Sequence, residues 1–166
     1  MAKLKKKKSG KSEGIKARGF FKLQICENGK VVGDSGWNEN QITNDGFSQY
    51  LCMTLGGIAG SKQVTHAMLG EGTAPGATAT SLDGEITDVA GTRCAVTPTV
   101  IASKTLQFAF TLNSNVYTAP HTITNIGLIN HSSTSQAGTI FAGNTFASSV
   151  LQTNQAIQGS YQIRFS

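Results

Sequence analysis

The chain has 166 residues, 39% of them hydrophobic, which is material for one domain with an ordinary core. No apolar run approaches the roughly 20 residues that a membrane-spanning helix needs. The net charge of +5 is unevenly spread: residues 1–18 hold eight basic side chains against the single acid Glu13, a balance of +7, whereas residues 19–166 hold six basic and eight acidic groups, a balance of −2. The basic character therefore belongs to the first segment and not to the body.

That segment, residues 1–18, contains Lys3, Lys5, Lys6, Lys7, Lys8, Lys11, Lys16 and Arg18 and almost nothing to bury. It cannot repay the entropy of ordering by itself, so it is expected to be an extended arm that orders only against something acidic. No apolar stretch follows the early lysines, which excludes a secretory signal peptide and leads us to expect synthesis and folding in a cytoplasm. Cys26, Cys52 and Cys94 are odd in number, far apart and form no CxxC; they read as buried small hydrophobes rather than a disulfide framework or a zinc ribbon.

From Gly19 the pattern changes. Phe21, Leu23 and Ile25 alternate with Lys22, Gln24 and Cys26, the period-2 signature of a half-buried strand, and Glu27-Asn28-Gly29-Lys30 reads as the tight turn of a hairpin. Val31 and Val32 begin a second strand that ends before Trp37. Asn44 or Asp45 is expected to cap a helix carrying Phe47, Tyr50, Leu51 and Leu55, stopped by Gly56-Gly57. Val64 to Leu69 reads as a strand entering the Gly-rich loop 70–76, and Leu82 to Ile86 as a short turn or helical piece. Beyond Arg93 everything reads β. Leu106, Phe108, Phe110 and Leu112 alternate with polar or small residues; Thr122–Ile129, Thr139–Phe146 and Gly159–Ser166 follow. Seven or eight short strands separated by turn residues predict a mostly β domain over residues 19–166: an antiparallel sandwich of the jelly-roll kind, with one short helix.

Little in this pattern points to catalysis. His66, His121 and His131 are widely separated, and no HExxH spacing or GxSxG elbow occurs. Gly60-Ser61-Lys62 lacks the ending of a phosphate loop, and Gly70-Glu71-Gly72 lacks the register of a dinucleotide fingerprint. Asp83, Glu85 and Asp88 cluster in sequence but miss the spacing of a calcium loop, and read as turn carboxylates. No cofactor is expected. The arm is the one segment whose composition calls for a partner. Lysine-rich arms bind nucleic acid by releasing counterions and bind acidic protein surfaces by the same attraction; a solvated tail is the third reading. Aromatic side chains, which would stack on bases, are absent before Phe20.

A run of short motifs then stands out: Asn40-Gln41-Ile42-Thr43-Asn44-Asp45-Gly46, Ala67-Met68-Leu69-Gly70-Glu71-Gly72-Thr73-Ala74-Pro75, Ser81-Leu82-Asp83-Gly84-Glu85-Ile86, Arg93, Ile123-Thr124-Asn125-Ile126-Gly127-Leu128-Ile129 and the closing Tyr161-Gln162-Ile163-Arg164-Phe165. In this order they resemble small virion proteins of tailed bacteriophages, namely head decoration (cement) proteins and β-rich pieces of tail fibres and baseplates. Asn125 stands where that pattern has an acid, so no role of that acid carries over. The resemblance implies a non-enzymatic virion protein assembled in the host cytoplasm, with capsid decoration as the first reading and a tail component as the second. Its implied partners are the major capsid protein or other virion proteins and further copies of itself, a trimer being the first guess, with no membrane. Two rivals remain: a coat protein whose arm faces the genome, and a glycan-binding module stacking sugars on Trp37, Tyr117 or Tyr161.

Overall fold

The computed structural model describes residues 14–87, 92–134 and 138–166. Among these, nine strands and one short helical segment alternate in the order β1 (Ala17–Glu27), β2 (Lys30–Asp34), β3 (Asn38–Ile42), the helical segment, β4 (His66–Gly70), β5 (Cys94–Ala102), β6 (Thr105–Leu112), β7 (His121–Ile129), β8 (Ile140–Leu151) and β9 (Ala156–Phe165). The helical segment, α1, is a π-helical turn, Gly46–Cys52, that runs on into an α-helical turn, Met53–Leu55.

The sheet is not a sandwich. β1 pairs antiparallel with β9 in an unbroken register from Ala17↔Phe165 to Cys26↔Ala156, and along its other edge with β3 and then β2. The remaining pairings run β3–β8–β7–β4–β5–β6–β9, all antiparallel, so the sheet closes into an eight-strand barrel with β2 as an appendage of β1. Alternation along each strand reports one buried face, and a barrel produces the same alternation as a sandwich. What distinguishes them is whether the first and last strands meet, a long-range pairing that no local period records.

The inward faces supply the core: Phe21 and Leu23 from β1, Phe108, Phe110 and Leu112 from β6, Ile126 and Leu128 from β7, Phe141 from β8, and Ile157, Tyr161 and Ile163 from β9. A bulge in β7 between Ile123 and Asn125 lets Ile123 share the interior with Ile126 despite the odd spacing. The seams are uneven. β4 and β5 pair only at His66↔Ala95 and Ala67↔Cys94, and β3 and β8 only at Gln41↔Gly143 and Ile42↔Ala142.

Local signals hold at several points. Asn28 and Gly29 both take positive φ (49° and 75°), the conformation that the Asn-Gly turn requires. The helical segment is where predicted, but its cap is Thr43, whose Oγ1 accepts the Gly46 N–H and whose carbonyl accepts the Phe47 N–H. Neither Asn44 nor Asp45 serves, because the chain is already helical there. Tyr50 is buried, whereas Phe47 and Leu55 point to solvent. Strand β3 escapes the hydrophobic pattern because Asn38, Glu39, Asn40 and Gln41 are polar; it is fixed by strands on both sides rather than by its own faces. Residues 82–86 form a turn bridged to Gly70 through Glu85, not a helical piece.

Gly46 opens the helical segment against β8, where a Cβ would fall 2.1 Å from the Phe141 carbonyl oxygen. Alanine normally favours a helix over glycine by roughly 1 kcal/mol. Here Gly46→Ala is expected to destabilise instead, by about 1–3 kcal/mol, the cost of overpacking. A urea midpoint that rises on this substitution would show that α1 does not press on β8. Phe108→Ala, inside the barrel, is expected to cost about 3–5 kcal/mol, and Thr111→Ala, on the outer face, far less by the same measurement.

Candidate interaction surface

Of the basic residues assigned to the arm, Lys3, Lys5, Lys6, Lys7, Lys8 and Lys11 lie outside the described residues. Lys16 and Arg18 lie within them, and the fold builds both into the barrel wall. Lys16 exchanges backbone hydrogen bonds with Ser166 (2.9 and 3.0 Å), and Arg18 sits in β1 directly across from Arg164 of β9. The root of the basic segment is thereby joined to the end of the chain.

Of the motifs singled out in the sequence, Ala67–Pro75, Ser81–Ile86 and Ile123–Ile129, together with Arg93, gather at the β4–β7–β8 wall, whereas 40–46 lies on β3 and the start of α1 and 161–165 on β9. The loop after β4 folds back over this wall, and Met68, Leu82, Ile129 and Ile140 form a small second core beneath it. The wall is thus buried on both faces, which is why Asn125 to Ile129 are buried without alternation. Asn125 is the clamp. Its Nδ2 donates to the carbonyls of Thr73 and Asp83, both at 2.8 Å, while the Thr124 hydroxyl donates to the Gly72 carbonyl (2.7 Å). A carboxylate at position 125 has no proton to give either carbonyl, so asparagine suits this geometry as an ionised acid would not.

Asp83 completes the loop by accepting the Thr73 N–H and the Thr73 hydroxyl, both at 2.8 Å, and these bonds, the amide first, hold its carboxyl below the usual range. Glu85 takes a bidentate pair from Arg93 (2.7 and 2.9 Å), and the Arg93 guanidinium also donates to the carbonyls of His131 and Ser133. This pair is almost fully buried and ties the loop to the β7–β8 connection. Two of the three clustered acids are therefore engaged in structure, and Asp88 lies outside the described residues. Among the described residues no group of three His, Cys, Asp or Glu side chains is placed to hold a metal.

The other singled-out residues scatter. His121 pairs with Glu71 (3.2 Å); His66 contacts Thr65, and burial, with Arg93 and His131 nearby, pushes its imidazole below the usual value. Cys26 and Cys94 are buried, burial pushing the Cys94 thiol up to about 12, but Cys52 is exposed on α1, which corrects the expectation of three buried cysteines. Tyr117 and Tyr161 are buried, so neither offers a ring for stacking; Trp37 alone of the three candidates is on the surface. An apolar cleft of about 250 Å³ opens between α1 and the β5–β6 hairpin, lined by Leu51, Val64, Pro98, Leu106 and Phe108.

Comparison of the chain with protein-family models, with curated proteins and with solved structures finds no match.

Arg93→Met leaves the Glu85 carboxylate and two carbonyls without their donor and is expected to cost about 3–5 kcal/mol in urea unfolding. A loss below about 1 kcal/mol would mean that water replaces the guanidinium. Asp83, with its carboxyl held low, adds stability above the ordinary value of 3.8 that is lost as pH falls through its own lower value. The Thr73 amide resonance is accordingly expected to move only at pH values below the normal aspartate range; titration at that ordinary value would show that its bond to Asp83 is absent in solution.

Proposed function

We propose that this chain is a non-enzymatic structural protein of a virion, in the first place a capsid decoration protein held on an acidic shell partly by its basic N-terminal segment. The observation that carries the reading is the division of charge: +7 over residues 1–18 against −2 over the remaining 148, with the base of the basic segment fastened into the barrel wall at Lys16 and Arg18. The motif order, with its resemblance to phage virion proteins, supplies the milieu. Three of those motifs, 67–75, 81–86 and 123–129, together form a hydrogen-bonded clamp of the kind a building block needs. A tail-fibre or baseplate component is the second form of the same reading.

Self-association accompanies it, with a trimer as the first guess. Leu55 and Val100 are 91% and 72% exposed; Leu55 follows Thr54 in the chain and Val100 pairs with Leu106, and Thr54 and Leu106 line the apolar cleft. Burying such surface between copies is worth roughly 25 cal/mol per Å².

Replacing Lys5, Lys6, Lys7 and Lys8 with Ser is expected to lower the salt concentration at which the protein leaves emptied particles, without changing its melting. Single exposed ion pairs are worth about 0–1 kcal/mol, but four together on a multivalent particle shift the elution point measurably. Unchanged elution across the salt series would sink the arm as an anchor. A variant that stays on empty shells but fails to retain genome would assign the arm to nucleic acid.

A further inference from the structure

Beyond the arm, the outer face where β1 meets β9 has a composition of its own. Arg18, Phe20 and Lys22 point outward from β1, and Gln162 and Arg164 from β9. Arg18 and Arg164 are direct cross-strand partners, and like charges in that position weaken a sheet. Among the described residues neither arginine has a carboxylate within ion-pair distance; the pairs present are Lys22–Asp34, Arg93–Glu85 and His121–Glu71. Two acids do stand on this side: Asp34, engaged by Lys22 at 3.0 Å, and Glu39, across β1 from Phe20. Counting Lys16 with Arg18, Lys22 and Arg164, four bases face two acids.

Arg164 is held in place without a counter-charge. Its Nε and one terminal nitrogen donate to the Gln162 Oε1 (3.0 and 2.8 Å), and Gln162 in turn donates to Gln107 (2.9 Å). The guanidinium lies 4.3 Å from the Phe20 ring centre and 5.6 Å from that of Trp37, an indole 44% exposed. An arginine oriented by amides and aromatic rings keeps donors for an oxyanion at no further ordering cost.

We infer that this face, centred on Arg18, Arg164 and Trp37, is a docking surface for a carboxylate-rich protein surface. The inference rests on the reading of an acidic protein partner given above and adds the body of the chain to the contact. The guanidinium fork matches a carboxylate, and Trp and Arg are the residues that dominate protein–protein contacts. Single-stranded nucleic acid fits less well. Arg164 already covers Phe20, and one open ring is no track for successive bases.

Trp37 is the only tryptophan in the chain, so its emission reports on this face alone. The full chain is titrated with poly-L-glutamate and, separately, with oligothymidylate of equal charge. The comparison covers the native chain, Arg18→Gln/Arg164→Gln, and the four-lysine variant. Poly-L-glutamate is expected to shift the Trp37 emission, reversibly with salt. The double-arginine variant is expected to need at least tenfold more of it, with no loss of melting temperature because a like-charge pair is removed. The four-lysine variant is expected to bind more weakly yet give the same emission change at saturation. Binding that leaves Trp37 silent, or a double-arginine variant indistinguishable from the native chain, overturns the inference. A tighter response to oligothymidylate than to poly-L-glutamate overturns it in favour of nucleic acid. If the four lysines prove irrelevant on particles while Trp37 still answers to poly-L-glutamate, the arm fails and this surface stands.

Discussion

Strand β1 is hydrogen-bonded along both edges, and the rest of the architecture depends on that constraint. Interior strands of any sheet are paired on both edges; what closes this one is that the pairings leaving β1 through β3 return to it through β9. Closure removes most of the exposed strand edge that an open sheet must otherwise protect. It also fixes the interior, because eight strands enclose a lumen that side chains alone can fill. Phe21, Tyr161, Phe141 and Phe108 do so here, with ring contacts running from Phe108 through Tyr161 to Phe141. The buried Tyr161 hydroxyl is met by the Asn40 side chain of β3, so the polar strand contributes a hydrogen bond where it could not contribute apolar bulk.

Closure is tightest at β1–β9 and thinnest at β4–β5 and β3–β8, and the two irregular segments of the chain sit at the thin places. Segment α1 follows β3 and packs Tyr50 onto Phe141 of β8. The loop between β4 and β5 folds over the β4–β7–β8 wall and is secured by Asn125, Asp83 and the Arg93–Glu85 pair. That pair is costly to desolvate, and its value lies in fixing one arrangement of a loop that has few apolar side chains of its own. The polar clamp and the small core of Met68, Leu82, Ile129 and Ile140 act on the same stretch, both from the strands of the wall beneath it.

What could be read from the sequence was whatever is recorded locally. The strand alternation of 21–26 and 106–112, the Asn28-Gly29 turn and the position of α1 each follow from residues within a few places of one another. The barrel does not, because pairing Ala17 with Phe165 leaves no trace in either segment's period. Strand β3 was missed for a related reason, having no apolar face to betray it. Strand β7 was expected over Thr122–Ile129, although its burial on both sides erases the alternation that marks a one-faced strand. Charge counting singled out Lys16 and Arg18 but not Arg164, which lies some 146 positions from Arg18 and reaches it only through the β1–β9 register. The aromatic partners were hidden in the same way: Phe20 and Trp37 stand beyond the basic segment in sequence, yet beside its root in space.

That juxtaposition changes the physical meaning of the basic segment. Taken alone, a run of lysines attracts any polyanion within a Debye length of about 8–10 Å and selects none of them. Its root at Lys16 and Arg18, however, stands beside a face that presents a fixed guanidinium and an exposed indole, groups with definite geometry. In the attachment proposed above, a partner attracted by the lysines would be held at high effective concentration near this face, so weak individual terms would sum without any enlargement of the barrel. The like-charge pair of Arg18 and Arg164 has its place in the proposed arrangement: a cross-strand repulsion tolerated in the free protein would be relieved by carboxylates arriving between the two guanidinium groups.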